Sequence, residues 1–153
     1  MERHMNERGV SLTEIMLALA VIGLMLVIGG EGFVAAAARQ QGKIVTTELA
    51  AELRAARHIA MIRRERVRVV FRPETSSIWS ECVDRPEDVI RQFNFADRKV
   101  VVESLSNGPS VTFYPSGRTA TPTTITLRNA QQERSQLTVS LTGRISILRG
   151  VRS

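Results

Sequence analysis

From Gly9 to Gly30 the chain reads GVSLTEIMLALAVIGLMLVIGG. Glu14 is its only charge, and every residue from Ile15 to Gly30 is apolar or glycine. As an α-helix, residues 10–30 would extend about 30 Å at about 1.5 Å per residue, enough to cross the core of a bilayer. A water-soluble helix would show a polar face at 3.6-residue spacing, and this stretch shows none. The run therefore reads as a membrane segment or as the buried spine of an assembly.

Ahead of it stands MERHMNERG, a short and highly charged leader. A secretory signal also opens with a charged region, but its cleavage site follows the apolar stretch. The run here ends GGEGFVAAAARQQ, and the small residues near Ala36 have the pattern of such a site. Glu14 argues against that reading. A carboxylate inside a membrane segment costs about 2.5 kcal/mol or more unless it is paired, so an acid at that depth points to function.

Arg8-Gly9 followed by Val10-Ser11-Leu12-Thr13-Glu14 resembles the class III signal of type IV prepilins and type II secretion pseudopilins. The resemblance implies that a prepilin peptidase cuts between Gly9 and Val10 on the cytoplasmic side, and that the new N-terminus is methylated. It makes Glu14 the fifth mature residue, the acid that pairs with a neighbouring subunit's terminal amine during assembly. Val10 stands where the family usually has Phe or Met. Physical logic agrees with the resemblance, because the cut creates the cation that a buried Glu14 needs.

The 153 residues suit one domain plus an appended helix. Net charge is +6, unevenly placed: −1 over residues 1–42, +4 over 43–68, −2 over 69–108 and +5 over 109–153. The basic excess thus lies in the helix after the apolar run and in the C-terminal part, as a polyanion-facing surface or a merely solvated face would have it. Lys43 and Lys99 are the only lysines, so the cations are nearly all guanidinium. Cys82 is alone, which rules out an intramolecular disulfide and makes a buried thiol the expectation. His4 and His58 form no metal-ligand spacing with it, and no cofactor is implied. With no phosphate-binding glycine motif and no nucleophile elbow, nothing points to an enzyme.

Beyond the apolar run, Gly29, Gly30 and Gly32 crowd together, each costing a helix about 1 kcal/mol relative to Ala, and mark the place where it would bend or unwind. From 35 to 64 the pattern turns amphipathic, with Val45, Leu49, Leu53, Ala56 and Ala60 in one stripe and Glu48, Glu52, Arg54, Arg57 and Arg64 largely off it. No proline precedes Pro73, so a single helix from about Ser11 to about Arg64 is expected. Strand alternation then appears at Val67–Arg72, with a return strand at Ser77–Ser80. A loop is expected over Cys82–Asp88. Further short strands are expected at Val89–Phe95, Lys99–Leu105, Ser110–Tyr114, Thr124–Leu127, Leu137–Leu141 and Arg144–Leu148, with breaks that include Asn129–Ser135. The expected fold class is α+β, a long N-terminal helix on an antiparallel β domain. The domain boundaries are a leader at 1–9, a helix over 10–66 (transmembrane part 10–30, amphipathic part 35–64) and a β domain over 67–153 ending in a basic tail.

LRAARHIAM at 53–61, VTFYPSGRTATPTTITL at 111–127 and LTVSLTGRISI at 137–147 resemble the FimT/GspH branch of minor pilins and pseudopilins. That resemblance implies a pilin-like fold and a subunit of a type IV pilus or a type II secretion pseudopilus, at or near its tip. It also implies an inner-membrane protein with one pass and a periplasmic globular domain, and other pilin subunits as partners. Some FimT proteins bind DNA through a C-terminal Gly-Arg-x-Arg motif. Gly143-Arg144-Ile145-Ser146 matches it without the second arginine, and Arg149 and Arg152 lie nearby. Arg118 and Arg134 complete the candidate set for non-specific capture of double-stranded DNA. The alternative function is a dedicated DNA receptor for natural transformation, or competence.

Overall fold

The computed structural model describes the backbone of residues 11–151 and the side chains of 11–27 and 32–148. The peptidase-site residues Gly9 and Val10, together with Arg152, lie outside that range. Ser11 starts helix α1 (Leu12–Arg63): its carbonyl accepts from the amides of Glu14 at 3.0 Å and Ile15 at 3.2 Å. The backbone stays helical through Gly29–Gly32, where weakening was expected. Glycine lowers helix propensity but, unlike proline, removes no donor, so the hydrogen-bond ladder survives.

Two compact units divide the chain, 1–36 and 37–153. In the first, every described side chain from Ser11 to Val27 is exposed, and the helix is long and apolar enough to cross a membrane by length and composition.

The second unit carries the core. Val45, Leu49, Ala50, Leu53, Ala56 and Ala60 are buried on one stripe of α1, at the three- and four-residue spacing that puts them on one helix face. Thr46 lies buried beside them, and its hydroxyl returns a 2.8 Å bond to the Gly42 carbonyl. Arg64 adopts a left-handed conformation (φ 55°), which stops the helix.

Among the described residues eight strands follow: β1 (Val67–Arg72), β2 (Ser77–Cys82), β3 (Arg85–Asn94), β4 (Val101–Leu105), β5 (Ser110–Phe113), β6 (Thr123–Arg128), β7 (Arg134–Val139) and β8 (Ile145–Val151), with a 3₁₀ turn at Ala96–Arg98. They form two four-stranded antiparallel sheets, ordered β3-β2-β1-β5 and β4-β6-β7-β8. Alternate residues, among them Val69, Phe71, Val111, Phe113, Ile125, Leu127, Leu137 and Val139, join the α1 stripe in one hydrophobic cluster.

Several boundaries differ from the sequence expectation. The segment Cys82–Asp88 is not a loop: β2 runs through Cys82 and β3 begins at Arg85. Pro86 is tolerated because β3 is an edge strand, with no ladder partner along one side. β4 begins at Val101 rather than Lys99, because Lys99 is left-handed at the end of the 3₁₀ turn. β7 begins at Arg134 rather than Leu137. Asn129 shortens the break before it, its Oδ1 accepting from the amides of Gln131 at 3.0 Å and Glu133 at 2.9 Å. β8 runs to Val151, so Arg149 lies in a strand and not in a tail.

Ion pairs join α1 to the edge of the first sheet. Glu52 receives two bonds from Arg91 at 2.7 and 2.8 Å, and Arg98 bonds Glu48 at 2.8 Å. Cys82 is buried, its thiol 3.5 Å from a carboxylate oxygen of Glu65.

Candidate functional site: paired glycine-arginine turns

Two connections in the second unit are built alike. Tyr114-Pro115-Ser116-Gly117-Arg118 follows β5, and Ser140-Leu141-Thr142-Gly143-Arg144 joins β7 to β8. In each, the glycine amide donates to the first residue's carbonyl: Gly117 to Tyr114 and Gly143 to Ser140, both at 2.8 Å. In each, the first residue's amide then donates to the arginine carbonyl: Tyr114 to Arg118 and Ser140 to Arg144, both at 2.9 Å. Gly117 (φ 76°) and Gly143 (φ 74°) supply the left-handed step that lets the chain turn back.

The turns also touch. Thr119 donates its amide to the Leu141 carbonyl at 3.0 Å and its hydroxyl to the Ser140 carbonyl at 2.9 Å. The fit is so close that a Cβ on Gly143 would lie 2.0 Å from the carbonyl oxygen of Gly117. From α1, the Arg57 guanidinium donates to the Gly117 carbonyl through Nε at 2.9 Å and reaches the Thr142 carbonyl through Nη2 at 3.5 Å. Arg57 is thus an internal clamp, a role that its place off the apolar stripe does not disclose.

Arg118 and Arg144 each follow one of these glycines and are exposed. Among the described residues neither has an ion pair. Both guanidinium groups are therefore available on hydrogen-bonded supports whose glycines are in contact, an arrangement suited to engaging phosphate or carboxylate groups. Arg134 is placed differently, held by Glu103 through two bonds of 2.7 Å. The hydrogen bond from Arg134 and its charge hold the Glu103 carboxyl below its ordinary value, and the same pair raises Arg134. Arg149 sits in β8 opposite Ser135, its side chain outside the described set, as is the whole of Arg152. Glu14 lies exposed in the first turn of α1, where the helix dipole favours a carboxylate. The signal for the paired turns was present in sequence as Ser-Gly-Arg at 116–118 and Thr-Gly-Arg at 142–144, but two short matches far apart do not announce that they meet.

Residues 45–143 match the family model described as type II transport protein GspH. Comparison with curated proteins finds no match. Among solved structures, the type IV minor pilin FimU of Pseudomonas aeruginosa (strain PAO1) superimposes with a TM-score of 0.64 at 16% identity, covering 75% of this chain and 96% of that one. The minor pseudopilin EpsH from the type 2 secretion system of Vibrio cholerae superimposes with a TM-score of 0.59 at 16% identity, covering 71% and 96%. At that identity the two structures establish the pilin-like fold, and the family model spans most of the chain. The protein belongs to the GspH family and is a minor pilin or pseudopilin of the FimT/GspH type.

Proposed function

We propose that this chain is a low-abundance subunit that enters a type IV pilus or a type II secretion pseudopilus beside other pilins, through its apolar helix. In this reading residues 1–9 are the leader and 10–66 the pilin helix, with a membrane part over 10–30 and an amphipathic part over 35–64. Residues 67–153 are the periplasmic globular domain. Prepilin peptidase removes the leader at the inner membrane and frees the Val10 amine, which is then methylated. The observation that carries the reading is the exposure of every described side chain from Leu12 to Val27, nearly all apolar, with Glu14 as the one acid among them. Such a surface is stable only under lipid or under neighbouring helices. A lone carboxylate in that setting needs a cation, which a neighbour's terminal amine supplies. Glu14→Ala tests this. The variant should insert and be cleaved as the parent, while its recovery in sheared filaments falls. Normal recovery would show that Glu14 does not guide assembly.

A second activity is favoured by the paired turns: non-specific capture of double-stranded DNA at or near the filament tip, with Arg118 and Arg144 as anchors and Arg149 and Arg152 adding charge. Its support is the pair of exposed, unpaired guanidinium groups on contacting turns, within a segment of charge +5. Each neutralised phosphate releases condensed counterions, so retention should fall steeply between about 50 and 200 mM salt. Reversing Arg144 and Arg149 to Glu should abolish retention in a gel-shift assay, and reversing Arg63 and Arg64 should matter less. The opposite ranking would place the site on the helix instead.

A further inference from the structure

The outer face of the second sheet carries an open cleft of about 450 Å³, lined mainly by Ser and Thr residues, within the range of small-molecule sites, roughly 300–1,000 Å³. Its floor is a row of hydroxyls laid across three strands. Thr124 of β6 lies opposite Thr138 of β7, and Thr138 lies opposite Ser146 of β8. Directly opposed residues share one face of a sheet, with Cβ atoms about 4.5–5.5 Å apart. Alternation fixes which face that is, because the neighbours Ile125, Leu137 and Val139 are buried in the core. Ser106 borders the row on the β4 side, and Ser140 and Arg144 border it at the β7–β8 turn.

The hydrogen bonding of these groups is incomplete. Ser106 Oγ accepts from the Thr124 amide at 2.9 Å, which leaves its own proton free to donate. Thr138 donates weakly to the Ser146 carbonyl at 3.3 Å. Among the described residues, the hydroxyls of Thr124 and Ser146 and the guanidinium of Arg144 have no side-chain partner. The lining offers several hydroxyls, each both donor and acceptor, and one cation. It contains neither an acid nor an aromatic ring.

An apolar ligand would leave these groups unpartnered, at the cost of their desolvation. A bare phosphate would engage Arg144 but would neither span the hydroxyl row nor fill the volume. A molecule with several hydroxyls and a carboxylate matches both: the carboxylate pairs with the guanidinium, and ring hydroxyls exchange bonds with the Ser and Thr row. We propose that this cleft binds an acidic saccharide, one or two uronic-acid units long, with its carboxylate on Arg144. The site shares Arg144 with the proposed DNA surface but does not use Arg118.

The test is a titration of the full-length chain in detergent micelles with digalacturonate, followed by saturation-transfer NMR. Without an aromatic platform binding should be weak but saturable, with Kd on the order of millimolar. Thr124→Val and Ser146→Ala should each weaken it by about threefold to tenfold, the net worth of one such hydrogen bond, and Arg144→Gln by about tenfold or more, because its bond to the carboxylate is charge-assisted. Arg118→Gln should bind as the parent, and the neutral disaccharide cellobiose should bind at least about tenfold more weakly, a charge-assisted bond having been lost. A non-saturable response, equal binding of cellobiose, or parental affinity in both Thr124→Val and Ser146→Ala would overturn the proposal. Saccharide binding by a chain that retains no DNA would overturn the nucleic-acid reading alone.

Discussion

Arg57 on α1 donates a 2.9 Å hydrogen bond to the carbonyl of Gly117, sixty residues further along the chain. The helix that builds the core therefore also braces the first glycine-arginine turn, and through Thr142 the second. Arg57→Met keeps most of the side chain's bulk and removes both bonds. It should destabilise the protein by about 1–3 kcal/mol, the cost of leaving the partly buried Gly117 carbonyl unsatisfied. The shift of the urea midpoint at unchanged slope measures this. An unchanged midpoint would mean that the turns hold themselves.

The two turn glycines should not be equally sensitive. At Gly143 a new Cβ meets backbone, the Gly117 carbonyl at 2.0 Å, which cannot move without breaking the turn contact. At Gly117 it meets the sulfur of Met61 at 2.8 Å, the far end of a flexible side chain. Both carry the left-handed penalty, about 1 kcal/mol or more. Gly143→Ala should therefore cost clearly more than Gly117→Ala in the same urea experiment. Equal costs would show that backbone conformation, and not contact, decides.

Stability should carry a weak acid-sensitive contribution from Glu103. Arg134 holds its carboxyl below the unfolded value, chiefly by hydrogen bonding. A depressed folded pKa means that the pair contributes above the unfolded pKa and that the contribution fades as pH falls through the folded one. Glu103→Gln should lower the melting temperature slightly near pH 7 and leave it unchanged near pH 2, where the parent has lost the charge too. Both partners are reached by solvent, so about 1 M salt should shrink the difference as well. A difference that persists in strong acid would have another origin.

Processing makes its own prediction. Mass spectrometry of the membrane-extracted protein should find Val10 as the N-terminus, carrying a methyl group. Gly9→Leu should leave the precursor uncut, because the peptidase site accepts that residue without a side chain. A mature chain starting near Ala36 would instead make the apolar run a removable secretory signal.

The helix and most strands were legible because they rest on local periodicity: Val45, Leu49, Leu53, Ala56 and Ala60 declare a buried stripe, and Val67, Val69 and Phe71 a pleat. What was not legible depended on partners distant in sequence. Pro86 reads as a loop residue until β3 is known to be an edge strand. The start of β7 depends on one Asn129 side chain closing its own turn. The candidate arginines show the same limit. Arg118, Arg134 and Arg144 are alike in sequence, yet Arg134 is held by Glu103, thirty-one residues away, while the turns that carry the other two meet through the bonds of Thr119 to Leu141 and Ser140.

Cys82 lies buried in β2, the strand hydrogen-bonded to β1 on one side and to the edge strand β3 on the other. As the only sulfhydryl in the chain, it gives a single labelled species by mass. A thiol reagent reaches it only while the surrounding structure is open, so the alkylation rate of the native protein counts opening events. Comparing that rate with the global unfolding equilibrium distinguishes two motions. If β3 peels away alone, labelling outpaces global unfolding. If the sheet opens only as a whole, the two coincide, and one sulfur atom becomes a clock for the entire domain.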